Sequence, residues 1–300
     1  MKAKIASAQY PISKHQSLVA WRNHTENWVK KAIDSNADLL VFPEYGSMEL
    51  VSLLSEEIQL DIHLQIAEMQ GLISEFKSTF SDLAIKYNTI IIAPSFPVLE
   101  SEKYYNRAFV FGPKGLVGYQ DKFFMTRFEN EEWRISSAPK KLTVFETHWG
   151  SFGIQICYDS EFHLGTHQLA NNGIDLLLVP SCTETIRGAT RVHVGTRARA
   201  MEQQIYAVVA QTVGNADWSP AVDINYGYSG FYSTPDKNFP EEGIIGLGIP
   251  QEEKWFFEEL DFNLIKTVRE DGQVFNYKDH SQLISDYKHE EIFVEYIKID

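Results

Sequence analysis

The chain has 300 residues, 44% of them apolar, which is enough for a large hydrophobic core in one or two domains. Its 27 Lys and Arg residues against 41 Asp and Glu residues give a formal net charge of −14, which argues against nucleic-acid binding through phosphates and against docking on an anionic membrane. Cys157 and Cys182 are too few for a disulfide framework, and residues 1–13 contain no apolar run of signal-peptide length. We therefore expect a cytoplasmic protein with free thiols and no membrane span.

Taken in chain order, short apolar runs alternate with longer helical stretches. The runs predict strands at 3–8, 39–42, 90–94, 105–111, 116–120, 142–146, 152–157, 176–180, 207–212, 227–233 and 255–260. The longer stretches predict helices at 16–35, 58–87, 160–171, 190–204 and in a C-terminal segment after Ser281. The middle of the chain, from 90 to 157, is predicted to be almost entirely strand.

Several of the predicted strands are apolar throughout, such as 39–42 and 176–179. Strands of this kind are usually buried on both faces, as in a sheet covered by helices. Long helices together with many strands predict a layered α/β sandwich, in which two sheets lie between outer helices. No Pro/Gly/Ser-rich linker divides the chain, so residues 1–300 are expected to form a single domain, with 272–300 as a C-terminal extension.

Three of the apolar strands end abruptly in polar residues. The first runs into Glu44, the second into Cys157 and Asp159, and the third into the segment from Ser181 to Glu184. In α/β folds, ligands bind at the carboxyl ends of the sheet strands. The sequence therefore predicts that these three strand ends converge on one pocket.

Cys157 precedes a predicted helix, whose N–H groups and dipole would favour the reactive thiolate. It would equally fit a buried structural cysteine, since free cysteine is among the most buried residue types. Glu44 is either a general base or a helix cap or ion-pair partner. Lys122 is either an oxyanion donor or a solvated surface charge. Position and residue type alone leave both interpretations open for each of the three.

The segments around these three residues resemble the nitrilase, or carbon–nitrogen hydrolase, superfamily. LLVFPEYG carries Glu44, GYQDKFFMTRFE carries Lys122 and GIQICYDSEF carries Cys157, in the order and spacing of that family. Further segments match along the chain, from AQYP at 8–11 to EELDFNLI at 258–265. The resemblance covers nearly the whole chain, and three catalytic motifs together are far more specific than any one of them.

The resemblance implies a four-layer α-β-β-α sandwich with a Glu-Lys-Cys catalytic triad. Glu44 would take the thiol proton and later activate water. Cys157 would attack a carbonyl carbon and form a thioester. Lys122 and the backbone N–H of Tyr158 would bind the oxyanion.

The resemblance also implies a second glutamate in the lysine loop, which positions the substrate. Glu129 fits this role best, and Glu131 and Glu132 are close alternatives. Cys182 follows a strand after which relatives line the pocket floor, so it is either a substrate contact or a small residue packed in the core. No metal or organic cofactor is implied. In the family, the helices after the pocket strands pack against a partner subunit. We therefore expect a homodimer or a larger assembly of dimers, to which the extension 272–300 contributes.

The sequence departs from the family's commoner pattern in ways that bear on the substrate. Cys-Tyr-Asp at the nucleophile points to an amidase acting on a small linear amide or N-carbamoyl compound, and the alternatives are a nitrilase-type hydrolase or a non-catalytic binding protein on this scaffold. Glu161 stands where several members have Arg, and with Glu184 it would add negative charge at the pocket mouth. We therefore expect neutral or cationic amides to be preferred to anionic ones, unless Glu161 instead caps the following helix.

Two further features of the sequence bear on the site. His163 and His167 lie four residues apart on a predicted helix, but no third ligand is evident, so no metal site is predicted. Phe123, Phe124 and Phe128 follow the catalytic lysine, and they either form a wall of the pocket or belong to the ordinary core.

Overall fold

The computed structural model describes residues 1–287 and 295–298. Its strands are β1 (Lys2–Pro11), β2 (Leu39–Val41), β3 (Ile90–Ile92), β4 (Phe96–Glu100), β5 (Lys103–Gly112), β6 (Gly115–Asp121), β7 (Phe145–Glu146), β8 (Ser151–Ile154), β9 (Leu176–Ser181), β10 (Tyr206–Asn215), β11 (Ile224–Asn225), β12 (Gly230–Tyr232), β13 (Ile244–Leu247) and β14 (Lys254–Asp261). Its helices are α1 (Leu18–Ile33), α2 (Glu56–Gln59), α3 (Ile62–Glu68), α4 (Ile73–Lys86), α5 (Arg127–Glu131), α6 (His163–Asn171), α7 (Ile186–Gln203), α8 (Phe262–Asp271) and α9 (Asn276–Tyr287). The 3₁₀ segments are Gly46–Leu53, Met69–Leu72 and Cys157–Glu161.

Strand β1 joins two half-sheets. One half-sheet contains β4, β5, β6, β3, β2, β1 and β14, and the other contains β7, β8, β9, β10, β12 and β13. Residues 5–7 of β1 pair in parallel with 39–41 of β2, whereas residues 9–11 pair in parallel with 211–213 of β10. The end of β1 therefore crosses from one half-sheet to the other.

Alternate residues of β2 enter two different apolar cores. Leu39 lies in a core with Leu177 of β9 and the apolar sides of α6 and α7. Leu40 lies in a second core with Trp21 of α1 and Phe76 of α4. Successive side chains of a strand point to opposite faces of its sheet. Helices α1 and α4 therefore cover one face of the half-sheet that holds β2, and the other half-sheet covers its opposite face. The order of layers is a four-layer α-β-β-α sandwich, which confirms the expected fold class.

The predicted helix at 58–87 is broken into several pieces. The side chain of Asp61 accepts hydrogen bonds from the backbone N–H groups of His63 and Leu64, and so begins α3. The 3₁₀ segment Met69–Leu72 then separates α3 from α4. Apolar periodicity continues through these breaks, which is why it predicted one long helix.

The middle of the chain contains less strand than predicted. Between β6 and β7 lies a long loop that holds α5, and Thr126 begins this helix with a capping box. The predicted helix at 160–171 begins only at His163, because the 3₁₀ segment Cys157–Glu161 precedes it. Strand β4 and helix α8 were not predicted.

The described part of the C-terminal extension packs on its own chain. The Tyr277 hydroxyl donates to the Ala170 carbonyl at 3.2 Å, and the His280 ring lies 4.6 Å from the ring of His167. Helix α9 begins at Asn276, earlier than predicted, and residues 288–294 and 299–300 of the predicted extension lie outside the described residues. No helix in the described part of the chain is long and apolar enough to cross a membrane.

Candidate active site

The three polar strand ends meet at one pocket, a cavity of about 160 Å³. The eight residues singled out from the sequence all line this cavity: Glu44, Lys122, Glu129, Cys157, Tyr158, Glu161, Cys182 and Glu184. The lining also includes residues that the sequence did not point to, among them Tyr45, Thr126, Trp133, Arg191, Val222 and Ile224. The candidate site is therefore one contiguous pocket at the carboxyl ends of β2, β8 and β9.

Cys157 lies at the bend between β8 and the 3₁₀ segment that follows. Its φ is 49°, in the left-handed region that non-glycine residues seldom adopt. The Ser160 hydroxyl donates to the Cys157 carbonyl at 2.7 Å and closes the turn. The thiol lies in the pocket with its Sγ 3.8 Å from the Cys182 carbonyl oxygen. Burial, with a further contribution from Glu44, raises the pKa of the Cys157 thiol well above its usual range.

Glu44 is held between the thiol and the lysine. Its Oε1 accepts from Lys122 Nζ at 2.8 Å, and its Oε2 accepts from the Cys182 backbone N–H at 2.9 Å. The Cys157 thiol lines the same pocket and acts to lower the pKa of Glu44. Burial and the neighbouring Glu129 raise the pKa of Glu44, although Lys122 opposes the shift. A carboxylate with a raised pKa beside a thiol is suited to accept its proton.

Lys122 bridges the two buried glutamates. Its Nζ lies 2.8 Å from Glu44 Oε1 and 2.5 Å from Glu129 Oε2, and its side chain is only 1% exposed. Burial disfavours the charged amine, but Glu129 and Glu44 outweigh it and raise the pKa of Lys122. The lysine is therefore a cation. Together, Glu44, Lys122 and Glu129 form the buried end of the pocket, which we call the pocket floor.

Glu129, rather than its neighbours Glu131 and Glu132, reaches the lysine. Its carboxylate also accepts from the Tyr45 hydroxyl at 2.8 Å and from the Thr126 backbone N–H at 2.9 Å. Although burial opposes it, the charge of the lysine lowers the pKa of Glu129. Glu131 and Glu132 are both exposed. The two buried glutamates thus have their pKa values shifted in opposite directions, the pattern that separates a base from a fixed anion.

Asp159 ties the nucleophile turn to the lysine loop, a role that the sequence did not show. Its carboxyl group accepts from the Phe123 N–H at 3.1 Å and from the Phe124 N–H at 2.7 Å. Burial raises the pKa of Asp159 to about 7. Of the three aromatic residues considered from the sequence, only Phe128 lines the cavity, and the Phe124 ring lies 4.2 Å from the ring of Phe162.

Charged residues at the mouth of the pocket are arranged differently from the sequence-based expectation. Glu161 lies 3.3 Å from the guanidinium of Arg191 on α7, so its charge has a partner. It does not cap α6, because that helix has Phe162 at its N-cap position. Glu184 is exposed, but partial desolvation of its carboxyl group and the like charges of Asp223 and Glu132 raise its pKa.

The potential metal ligands that lie together do not line the pocket. Among the described residues, His15, His24 and Glu49 place one ligand atom each within 4.8 Å of one another. Glu49 Oε1 accepts from the Tyr10 hydroxyl at 2.8 Å and from the Trp21 indole at 2.7 Å, and Oε2 faces His15 Nε2 at 3.3 Å. Hydrogen bonds therefore account for the buried carboxylate of Glu49 without an ion.

A sequence profile of the carbon–nitrogen hydrolase family matches residues 4–255. The chain belongs to the carbon–nitrogen hydrolase family. The resemblance seen in the three motifs is thereby confirmed.

Relatives of this chain include proteins from bacteria and eukaryotes. It is 36% identical to a Bacillus subtilis protein named probable hydrolase YhcX, over 92% of this chain and 53% of that protein, so it spans about half of that relative's length. It is 27% identical to omega-amidase NIT2 of Danio rerio, over 90% of this chain and 92% of the relative.

Solved structures share the fold of this chain. A carbon-nitrogen hydrolase from Helicobacter pylori superposes with a TM-score of 0.76 at 16% identity, covering 96% of this chain and 99% of that one. Saccharomyces cerevisiae Nit3, described as a member of branch 10 of the nitrilase superfamily, gives a TM-score of 0.69 at 22% identity, covering 90% and 93%.

Proposed function

We propose that the protein hydrolyses the carbon–nitrogen bond of a small linear amide or N-carbamoyl compound through a thioester on Cys157. The observation that carries this proposal is the buried group of Glu44, Lys122 and Cys157 on the floor of one small pocket. Membership of the carbon–nitrogen hydrolase family and similarity to proteins named omega-amidases support it.

The first half of the reaction uses Glu44 as a general base. The thiol is protonated at rest, because burial raises its pKa. As Cys157 Sγ attacks the carbonyl carbon, its proton passes to the Glu44 carboxylate and the carbonyl oxygen becomes an oxyanion. Lys122 Nζ and the Tyr158 backbone N–H stabilise that oxyanion. The amine then leaves with the proton held by Glu44, and an acyl thioester remains.

The second half of the reaction uses the same carboxylate on water. Glu44 takes a proton from water, the hydroxide attacks the thioester carbonyl, and the thiol leaves with the proton returned. Glu129 remains an anion throughout, since the lysine and several hydrogen-bond donors hold it in that form. We assign it the role of orienting Lys122 and the substrate amide.

The test of this proposal is ammonia release from a panel of small substrates. The panel contains a neutral amide, an amine-bearing amide, a dicarboxylic monoamide, an N-carbamoyl compound and a nitrile. We expect turnover of an amide or carbamoyl compound, together with an acyl mass increment on the peptide that carries Cys157. Turnover of the nitrile alone would favour the nitrilase-type alternative. Stoichiometric labelling of Cys157 by an electrophile without any turnover would favour a binding protein.

We also propose a single-domain homodimer, or an assembly of dimers, in the cytoplasm. One connected set of strands runs through the described chain, and the two cysteines are unpaired, as suits a reducing compartment. Helices α6 and α7 expose the large apolar side chains of Leu164, Ile186 and Val194, which a partner subunit would cover. Light scattering that returned the 34.4 kDa mass of one chain at all concentrations would contradict the assembly.

A further inference from the structure

Asn106 of β5 contacts both buried carboxylates of the pocket floor. Its Nδ2 donates to Glu44 Oε1 at 2.8 Å and to Glu129 Oε1 at 3.2 Å. Its backbone carbonyl accepts from the Lys122 N–H at 2.9 Å. The side chain is fully buried and does not line the cavity, so it acts on the substrate only through other residues.

The charges on the floor explain why a neutral donor is needed there. Two carboxylates share one cation, so the group formed by Glu44, Glu129 and Lys122 carries a net negative charge when both acids are ionised. Like charges brought together away from water drive one of the acids to take up a proton. The Asn106 amide donates a hydrogen bond to each carboxylate and adds no charge, so it favours the state in which both are ionised.

The rest of the Asn106 side chain argues against a purely structural role. Its Oδ1 is buried and has no hydrogen-bond partner within residues 1–287 and 295–298. A buried acceptor without a partner lowers stability, so an apolar residue of similar size would pack there at less cost to the fold. The hydrogen bonds that the Asn106 side chain does make are with the carboxylates of Glu44 and Glu129.

We propose that Asn106 is a positioning residue that keeps Glu44 ionised and aligned with Cys157, and thereby sets the lowest pH at which the thiol reacts. This inference rests on the proposed function, in which Glu44 is the base for Cys157. The groups that face Glu44 from the surrounding elements are Lys122 after β6, Glu129 on α5, Cys157 after β8, Cys182 after β9 and Tyr45 beside it. Among these five groups, Lys122 is the one that carries a positive charge, and Glu129 carries a negative charge.

The experiment measures alkylation of Cys157 by iodoacetamide, a small amide-bearing electrophile, so that no substrate need be known. Mass spectrometry of the Cys157 peptide gives the rate at each pH between about 4 and 9 for the wild type, Asn106→Asp and Asn106→Leu. Gln65→Glu is the matched control. It also converts a buried amide to an acid. Gln65, however, lies on α3, does not line the pocket, and forms hydrogen bonds with Gln59 and Ser219.

The acid limb of the rate profile is the low-pH range in which the alkylation rate rises with pH. We expect this limb to move to higher pH by about one unit in Asn106→Asp. At a fixed pH on the limb, that shift lowers the rate about tenfold. Asn106→Leu should move it in the same direction, and Gln65→Glu should leave it in place. A merely structural role would lower the rate by the same factor at every pH. If the acid limb is not shifted in the Asn106 variants that fold, the inference is overturned. Asn106→Leu provides this measurement if Asn106→Asp does not fold.

The closing control separates this inference from the proposed function. Glu44→Gln should remove the acid limb of the wild type, because the group that titrates there is replaced. If Glu44→Gln left that limb unchanged, Glu44 would not be the base, and the proposed function would fail. If Glu44→Gln removed the limb while both Asn106 variants kept it at the wild-type pH, only the role of Asn106 would be wrong.

Discussion

The floor and the mouth of the pocket both contain acids and bases, but they treat charge in opposite ways. On the floor, Glu44, Lys122 and Glu129 are buried within hydrogen-bond distance of one another. At the mouth, Glu161 and Arg191 pair at 3.3 Å in contact with solvent. Charges away from water interact strongly and depend on exact partners, whereas solvated charges are screened and tolerate change. The floor therefore fixes the chemistry, and the mouth is free to vary with the substrate.

The largest effect is expected at the nucleophile. Cys157→Ser should lower turnover on the order of 10³-fold or more, because a hydroxyl is far less nucleophilic beside a carboxylate base than a thiol. The two side chains are of similar size, so the melting temperature should change little. Cys182→Ser, at the other cysteine of the pocket, is the control and should keep most activity. Loss of activity in Cys182→Ser with retention in Cys157→Ser would refute the assignment.

The next effect is expected at the charged residues of the floor. Glu44→Gln and Lys122→Met should each lower turnover on the order of 10²-fold or more, since each removes a base or an oxyanion donor. Lys122→Met should also lower the melting temperature, because it leaves two buried carboxylates without their cation. Glu131→Gln, an exposed change on the same loop, should alter neither quantity. Wild-type turnover in Lys122→Met would show that the floor does not depend on its buried charges.

The smallest effects are expected at the mouth. Glu184→Gln and Arg191→Ala should change KM by less than about tenfold and leave kcat nearly unchanged, because exposed charges contribute at most about 1 kcal/mol. Glu184→Gln should weaken the preference for an amine-bearing amide, and added salt should have the same effect on the wild type. Steady-state kinetics on the neutral, amine-bearing and dicarboxylic members of the panel measure this. Fastest wild-type turnover of the dicarboxylic monoamide would contradict the expected charge preference.

The floor could be largely predicted from the sequence, because each of its main residues follows a recognisable apolar strand or lies in a motif. Glu44 and Cys157 come at strand ends, and the family resemblance selected Lys122 and Glu129. Asn106 could not be assigned a partner in this way, since the Glu44 carboxylate that it contacts lies 62 positions away. A buried Asn within the apolar run 105–111 was the signal available.

The mouth was harder to predict, and for a physical reason. The effect of Glu161 depends on Arg191, which lies 30 positions later on a different helix. Glu161 follows the nucleophile in its motif, but Arg191 belongs to neither a strand end nor a motif, so nothing in the sequence places the two side chains together. The same limit applies to the fold, where the helix breaks follow from local capping by Asp61 and the strand pairing follows from long-range contacts.

The left-handed backbone of Cys157 has a consequence for how the protein changes over time. A φ of 49° disfavours most side chains by roughly 1 kcal/mol or more, and glycine or asparagine would adopt it more readily. The proposed nucleophile therefore occupies a backbone position that works against folding. Glycine at position 157 would relieve this backbone strain but would remove the proposed nucleophile, so stability and the proposed chemistry favour different residues at the same position.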